Sequence, residues 1–229
     1  MKLPEFKIRA SGAGAIMTNP RSKSETLGKT CITYLETWVK EQIYNRRKEV
    51  TTKYMVKGLI AEDNSLDMVA KNVGVALLLK NEKHFEDNFM TGTPDAVLKD
   101  CVIDVKSSWD AFTFPLFATE IPEKAYYLQL QVYMALTKKK RSKLVYTLID
   151  TPAHLIQKEA YWYSRDNGYG ELTEEMLAEF TKRMTYGDVP ENLKYKSFDI
   201  ERNDSDIQLI KDRVIECREY IKTLNITFK

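Results

Sequence analysis

The chain has 229 residues, of which 43% are hydrophobic and 30% charged, and its net charge is +2. That length buries a sizeable core, and the apolar content excludes an intrinsically disordered chain. The longest strongly apolar stretch, Val73–Leu79, is far short of the roughly 20 residues a membrane-spanning helix needs. Met1–Glu5 has no apolar signal segment, so the cytoplasm is the expected compartment, with no membrane partner. Cys31, Cys101 and Cys217 are widely separated and suggest neither a zinc site nor a disulfide framework. Cys101 and Cys217 fall at apolar-patterned positions and read as buried thiols. Residues 1–57 carry twelve Lys/Arg against five Glu, a local excess of +7, and a second basic run occupies Lys138–Lys143. Either cluster suits a phosphate backbone or a solvated face.

Residues Leu27–Arg47 read as a helix, with Leu35, Trp38, Val39, Gln42 and Ile43 at helical spacing, and Ala61–Val69 suggests a second. The period then changes. Phe85–Thr91 and Val97–Lys106 are strand-like, separated by turn chemistry at Gly92–Pro94 and Lys99–Asp100. Pro122 opens a helix running to about Thr137, Leu144–Ile149 is again strand-like, and Thr173–Met184 is helical. Lys194–Ile200 alternates like a strand. A last helix from Asp204 presents Ile207, Ile210, Val214, Cys217, Ile221 and Leu224, with Asn203 and Asp206 resembling a capping box. Helices on both sides of a block of strands imply a layered α/β fold. With no repeat or linker, one domain over residues 1–229 is expected.

The informative segment is Thr91–Asp95 followed by Ile103–Lys106. Within a strand, residues two apart share a face, so Asp104 and Lys106 project side by side. Asp95, after the preceding turn, comes alongside Asp104 if the two strands pair as a hairpin. Two converging carboxylates and a backbone carbonyl such as that of Val105 bind a hard divalent cation, and the ammonium can orient water or stabilise charge on phosphorus. Asp104 and Lys106 interrupt a β-branched run, and charge there is costly unless it serves a function.

These residues resemble, in order, the motifs of the PD-(D/E)XK nuclease superfamily. Gln129–Tyr133 looks like the Q-x-x-x-Y motif of RecB-type nucleases. Lys57–Glu62 is similar to the basic-Gly-x-x-x-Glu segment of phage lambda exonuclease and YqaJ-type recombinases, and Ile8–Ile16 resembles their opening R-x-S element. The resemblance covers roughly residues 8–135. It implies a restriction-endonuclease-like core, a central mixed β-sheet flanked by helices. It also implies Mg²⁺, with Mn²⁺ as substitute, held by Glu62, Asp95, Asp104 and Val105. Lys106 would be the catalytic lysine and Gln129 a support for the site. Arg9 and Ser11 would approach a DNA phosphate, with Lys57, Trp109 and Tyr133 as further DNA contacts. Asp104 stands where lambda exonuclease-like proteins often have Glu. The four-cysteine iron–sulfur signature of some RecB-type relatives is absent, so no cluster is expected. His84 and His154 have no partners at ligand spacing, and Tyr161–Tyr163 reads as core packing before base stacking.

The function expected from the resemblance is 5′→3′ exonuclease action on double-stranded DNA ends in phage-type recombination or end processing. A homo-oligomeric ring and a single-strand annealing protein would be its associates. An endonuclease of restriction or junction-resolving type on the same core, and a non-catalytic DNA-binding component, are the competing readings.

Overall fold

The computed structural model describes residues 3–22 and 24–224, so Met1, Lys2 and Lys23 of the basic N-terminal region lie outside the described residues. Strand β1 (Ile8–Arg9) passes through a 3-10 turn at Ala10–Gly12 into the short helix α1 (Ala13–Ile16). Helix α2 (Lys29–Tyr44) buries Cys31, Leu35 and Val39 and stops where Asn45 takes a left-handed backbone conformation, φ 48°. The helix expected at Ala61–Val69 is present, and a further one that was not foreseen precedes it. α3 (Lys53–Ile60) is capped by the Thr52 hydroxyl, which accepts the Met55 N–H at 3.2 Å, and α4 (Glu62–Val73) follows after Ala61. Gly74 ends α4 at φ 73°, a conformation that suits glycine.

The middle of the chain forms β2 (Phe85–Glu86), β3 (Met90–Gly92), β4 (Ala96–Val97) and β5 (Cys101–Ser107). Then come α5 (Lys124–Thr137), β6 (Arg141–Thr147), α6 (Ala153–Asp166), α7 (Glu174–Met184), β7 (Tyr195–Glu201) and α8 (Asp204–Thr223). β1, β3 and β2 make a small mixed sheet in that order, and β4-β5-β6-β7 a larger one. β5 and β6 run parallel, joined through α5, while β4 and β7 pair antiparallel on the outer sides. Helix α5 packs on both sheets, so the expected mixed sheet flanked by helices is present with a second, smaller sheet sharing its helix.

Burial follows the strand and helix periods. Val102, Ile103, Leu144 and Val145 on the two central strands are fully buried, as expected where both faces of a sheet are covered. Each such side chain contributes roughly 1.5–3 kcal/mol. Helix α8 buries Ile207, Ile210, Val214 and Cys217, and the Asn203 side chain caps it by accepting from the Ser205 and Asp206 N–H groups at 3.0 and 3.2 Å. Cys217 meets Cys31 of α2 in the core at 3.7 Å between sulfurs, both as free thiols. Cys101, expected to be buried, is only half-buried, because the first residue of β5 lies at the open end of the sheet. Helix α6 was not foreseen. No helix among the described residues is long and apolar enough to cross a membrane.

The basic run at Lys138–Lys143 lies away from Lys106. Arg141 is paired with Cys101 and Tyr146 with Lys106, which puts the run at the far end of β5, about 16 Å from Lys106 at strand rise. Lys139 donates to the Lys99 carbonyl and Lys143 pairs with Asp199, so two of its charges serve local structure.

Candidate active site

The hairpin that brings Asp95 to Asp104 is formed. β4 pairs with β5 so that Ala96 faces Ile103 and Val97 faces Val102, and Asp95 therefore stands beside Asp104. Its Oδ2 accepts the Val105 N–H at 2.6 Å, which locks the carboxylate onto the strand that carries the other two groups. Asp104 is 2% exposed. Lys106 Nζ lies 2.8 Å from Asp104 Oδ2, an ion pair whose angle leaves that buried oxygen without an aligned hydrogen bond. The Lys106 ammonium also sits 4.8 Å from the centroid of the Tyr126 ring.

Helix α5 completes the arrangement. Gln129 Nε2 donates both its hydrogens, one to Asp104 Oδ1 at 3.1 Å and one to the Tyr133 hydroxyl at 3.0 Å. Tyr133 in turn donates to the Thr93 carbonyl at 3.3 Å. Glutamine and tyrosine four residues apart on one helical face thus tie the acidic strand to the turn preceding Asp95. Gly92 in that turn is needed for the approach, since a Cβ there would come within 2.8 Å of the Tyr133 ring. Tyr133 is buried in this relay.

Electrostatics at the site follow from crowding buried carboxylates around one lysine. Burial, followed by the Asp104 charge, pushes the Asp95 carboxyl up to about 7 against the Val105 N–H and Lys106, which lower it. Burial opposes the charge of Lys106, but Asp104 and Asp95 outweigh it and hold the ammonium above the ordinary lysine range. Two crowded carboxylates with one lysine between them form a hard oxygen donor set whose repulsion a divalent cation would relieve. Glu62 lines the same cavity of about 480 Å³ as Asp95, Val105 and Ser107, although its carboxylate is engaged by Lys80 at 2.6 Å. With Glu62 turned to Lys80, no three His, Cys, Asp or Glu side chains among the described residues are gathered as a ready metal cluster. Glu62, Asp95, Asp104 and the Val105 backbone nonetheless fit a Mg²⁺-type ion in donor chemistry.

Other expected contacts are differently placed. Lys57 is fully buried and donates to the Trp109 carbonyl at 2.8 Å, and Trp109 is itself 7% exposed in a core with Leu155, Ile156 and Phe180. The expectation that Lys57 and Trp109 touch DNA is therefore corrected: α6 and α7 cover them, and they brace α3 against the end of β5. Burial lowers the Lys57 ammonium to about 8 from an ordinary 10.5, against the Asp110 and Asp150 charges, which raise it. Below pH 8 this lysine is charged in both folded and unfolded chains, and the burial cost is fully expressed. Between 8 and 10.5 the unfolded chain holds the proton longer, so stability rises with pH. The stability of wild type relative to Lys57→Met should rise by about 2–3 kcal/mol from pH 7 to pH 10. Urea unfolding of both proteins at the two values checks it, and a constant difference would contradict a buried, titrating Lys57.

Arg9 and Ser11 border a separate cavity of about 500 Å³ together with Arg47, His84, Thr91 and Tyr133. His84, given no role from sequence, hydrogen-bonds Thr91 and Thr93 beside the Asp95 turn. Arg47 was missed as well, because it is brought from beyond the end of α2 by tertiary packing alone. Ser65 was also missed: it joins Ser107 and Thr147 by hydrogen bonds of 2.8 and 3.0 Å beneath the cavity. Tyr161, Trp162 and Tyr163, read as core packing, are instead partly exposed on the outer face of α6.

No protein-family model and no curated protein matches the sequence. Solved structures do. A phage-related exonuclease from Haemophilus somnus 129PT superposes with a TM-score of 0.80 at 25% identity, covering 96% of each chain. The alkaline exonuclease LHK-Exo from Laribacter hongkongensis matches with a TM-score of 0.63 at 16% identity, covering 94% of this chain and 88% of the other. Its complex with dAMP matches with a TM-score of 0.61 at 17% identity, over 95% of this chain and 91% of that one.

Proposed function

We propose that this chain, built on the exonuclease fold of the PD-(D/E)XK superfamily, is a metal-dependent DNA exonuclease. The observation that carries the reading is the convergence of Asp95, Asp104 and Lys106 on one hairpin, with Gln129 holding Asp104. Similarity to a phage-related exonuclease along the whole chain favours attack at ends over the endonuclease and non-catalytic readings.

Asp95, Asp104 and Glu62, with the Val105 carbonyl, would hold Mg²⁺ or Mn²⁺. When bound, the cation supplies Lewis-acid polarisation of the scissile phosphate and eases deprotonation of the attacking water. Lys106, kept charged by its carboxylate neighbours, positions that water or meets negative charge growing on the phosphate. Gln129 fixes the Asp104 rotamer, and the Val105 N–H fixes that of Asp95. The Arg9–Ser11 cavity, with Arg47 and His84, suits a terminal phosphate and hence 5′→3′ digestion. The same reading takes residues 1–229 as one cytoplasmic nuclease domain, assembled as a ring on duplex DNA and passing its product to a single-strand annealing protein.

End-labelled linear duplex incubated with Mg²⁺, beside a closed circle, tests the proposal. The linear DNA should be digested and the circle left intact. Cutting of the circle would overturn exonuclease action, and inertness toward both with Mg²⁺ and Mn²⁺ would overturn nuclease action altogether.

A further inference from the structure

The loop between β5 and α5, residues 108–123, carries two side chains that the reading above leaves unused. Phe112 is 94% exposed and Phe117 91%, more than any other large apolar side chain among the described residues. The tip that bears them is well held. Trp109 and Phe114 are buried anchors on two different cores. Asp110 Oδ1 accepts the N–H groups of Phe112 at 3.1 Å and Thr113 at 2.8 Å, and the Ala118 N–H donates to the Pro115 carbonyl at 3.1 Å. From Ala111 to Ala118 there is no charged side chain. Burying a phenylalanine is worth roughly 1.5–3 kcal/mol, and a fixed tip that leaves two in water forgoes that gain.

The position of the loop says what the rings can meet. One foot leaves β5 at Ser107, which lines the Glu62–Asp95 cavity. The other enters α5, whose first turn places Tyr126 against Lys106. The tip therefore projects from the rim of the proposed active site. It brings no cation to a phosphate, and the Thr113 hydroxyl is taken up by the Asp110 carbonyl. Aromatic faces without polar groups suit the π-face of any base, independent of sequence.

We propose that Phe112 and Phe117 stack on unpaired nucleobases of DNA as it reaches the Asp95–Asp104–Lys106 site. This inference rests on the exonuclease reading. Both rings are exposed, so Phe112→Ala, Phe117→Ala and the double variant should fold with unchanged Tm. Binding is measured by fluorescence anisotropy in Ca²⁺, using a duplex with a short unpaired terminus and the same duplex with abasic residues there. Wild type should lose about tenfold in affinity when the bases are removed, and the double variant should bind the normal end about tenfold more weakly while ignoring the abasic change. A double variant with wild-type Kd and wild-type sensitivity to the abasic change overturns the inference, while digestion of linear DNA by wild type keeps the exonuclease reading. If wild type neither binds nor digests DNA, that reading falls and the inference with it. A changed mass of the double variant in light scattering also overturns it, since the tip would then be a contact between copies of the chain.

Discussion

Lys106→Ala is expected to slow DNA cleavage about a thousandfold, with the fold and cation binding retained. The reason lies in how Lys106 is held. Its ammonium is 2.8 Å from Asp104 and its pKa is held above the ordinary lysine range, so it is positive at neutral pH. It lies on the strand that carries Asp104, and removing it deletes one fixed charge without disturbing the β4–β5 and β5–β6 pairing. Single-turnover cleavage of labelled linear duplex gives the rate, and calorimetric titration with Mn²⁺ gives the cation affinity. A variant that cuts at the wild-type rate would remove Lys106 from the mechanism. Loss of folding, read by circular dichroism, would show that the Asp104 charge cannot be accommodated without it.

Asp95→Asn should abolish metal-supported cleavage and, in EDTA, make the protein more stable than wild type. Asp95 titrates at about 7 in the folded chain and near 3.8 when unfolded. Its contribution is therefore fully favourable below about 4 and is lost as pH rises through about 7, because the unfolded chain releases its proton first. Asparagine keeps an acceptor for the Val105 N–H but has no charge to desolvate. The advantage of the variant should grow from pH 4 to 7 and then level off at roughly 5–10 °C in Tm. Mg²⁺ should narrow or reverse the gap, since only wild type gains from the cation. Thermal melts at pH 4.5, 6 and 8, with and without metal, measure it. A pH-independent difference in EDTA would mean that Asp95 and Asp104 are not coupled as described.

Much of the framework was legible because it depends on local periodicity. The β-branched run at Cys101–Ser107 reads as a buried strand, and period two alone puts Asp104 and Lys106 on one face. The stripe on α8 and its Asn203 cap follow from spacing in the same way. Where local signals conflict, the reading failed. Tyr161, Trp162 and Tyr163 are consecutive, which hides the three-and-four spacing of Leu155, Ile156, Ala160 and Ser164 that makes α6. The Ala61 break between α3 and α4 carries no proline and leaves only a weak mark in the sequence.

The chain by itself determined which groups are brought together: an acid and a lysine at fixed strand spacing, an acid after the preceding turn, and a glutamine and tyrosine one helical turn apart. Tertiary structure alone decided what each group faces. Lys57 became a buried brace because α3 packs against Trp109, itself covered by α6 and α7, and Glu62 met Lys80 across a turn of the chain. Arg47 and His84 joined Arg9 from remote segments, and Phe112 was left in water between two buried anchors. Burial and partnership are set by elements distant in sequence, whereas side-chain direction within a strand or helix is set by the residue's immediate neighbours.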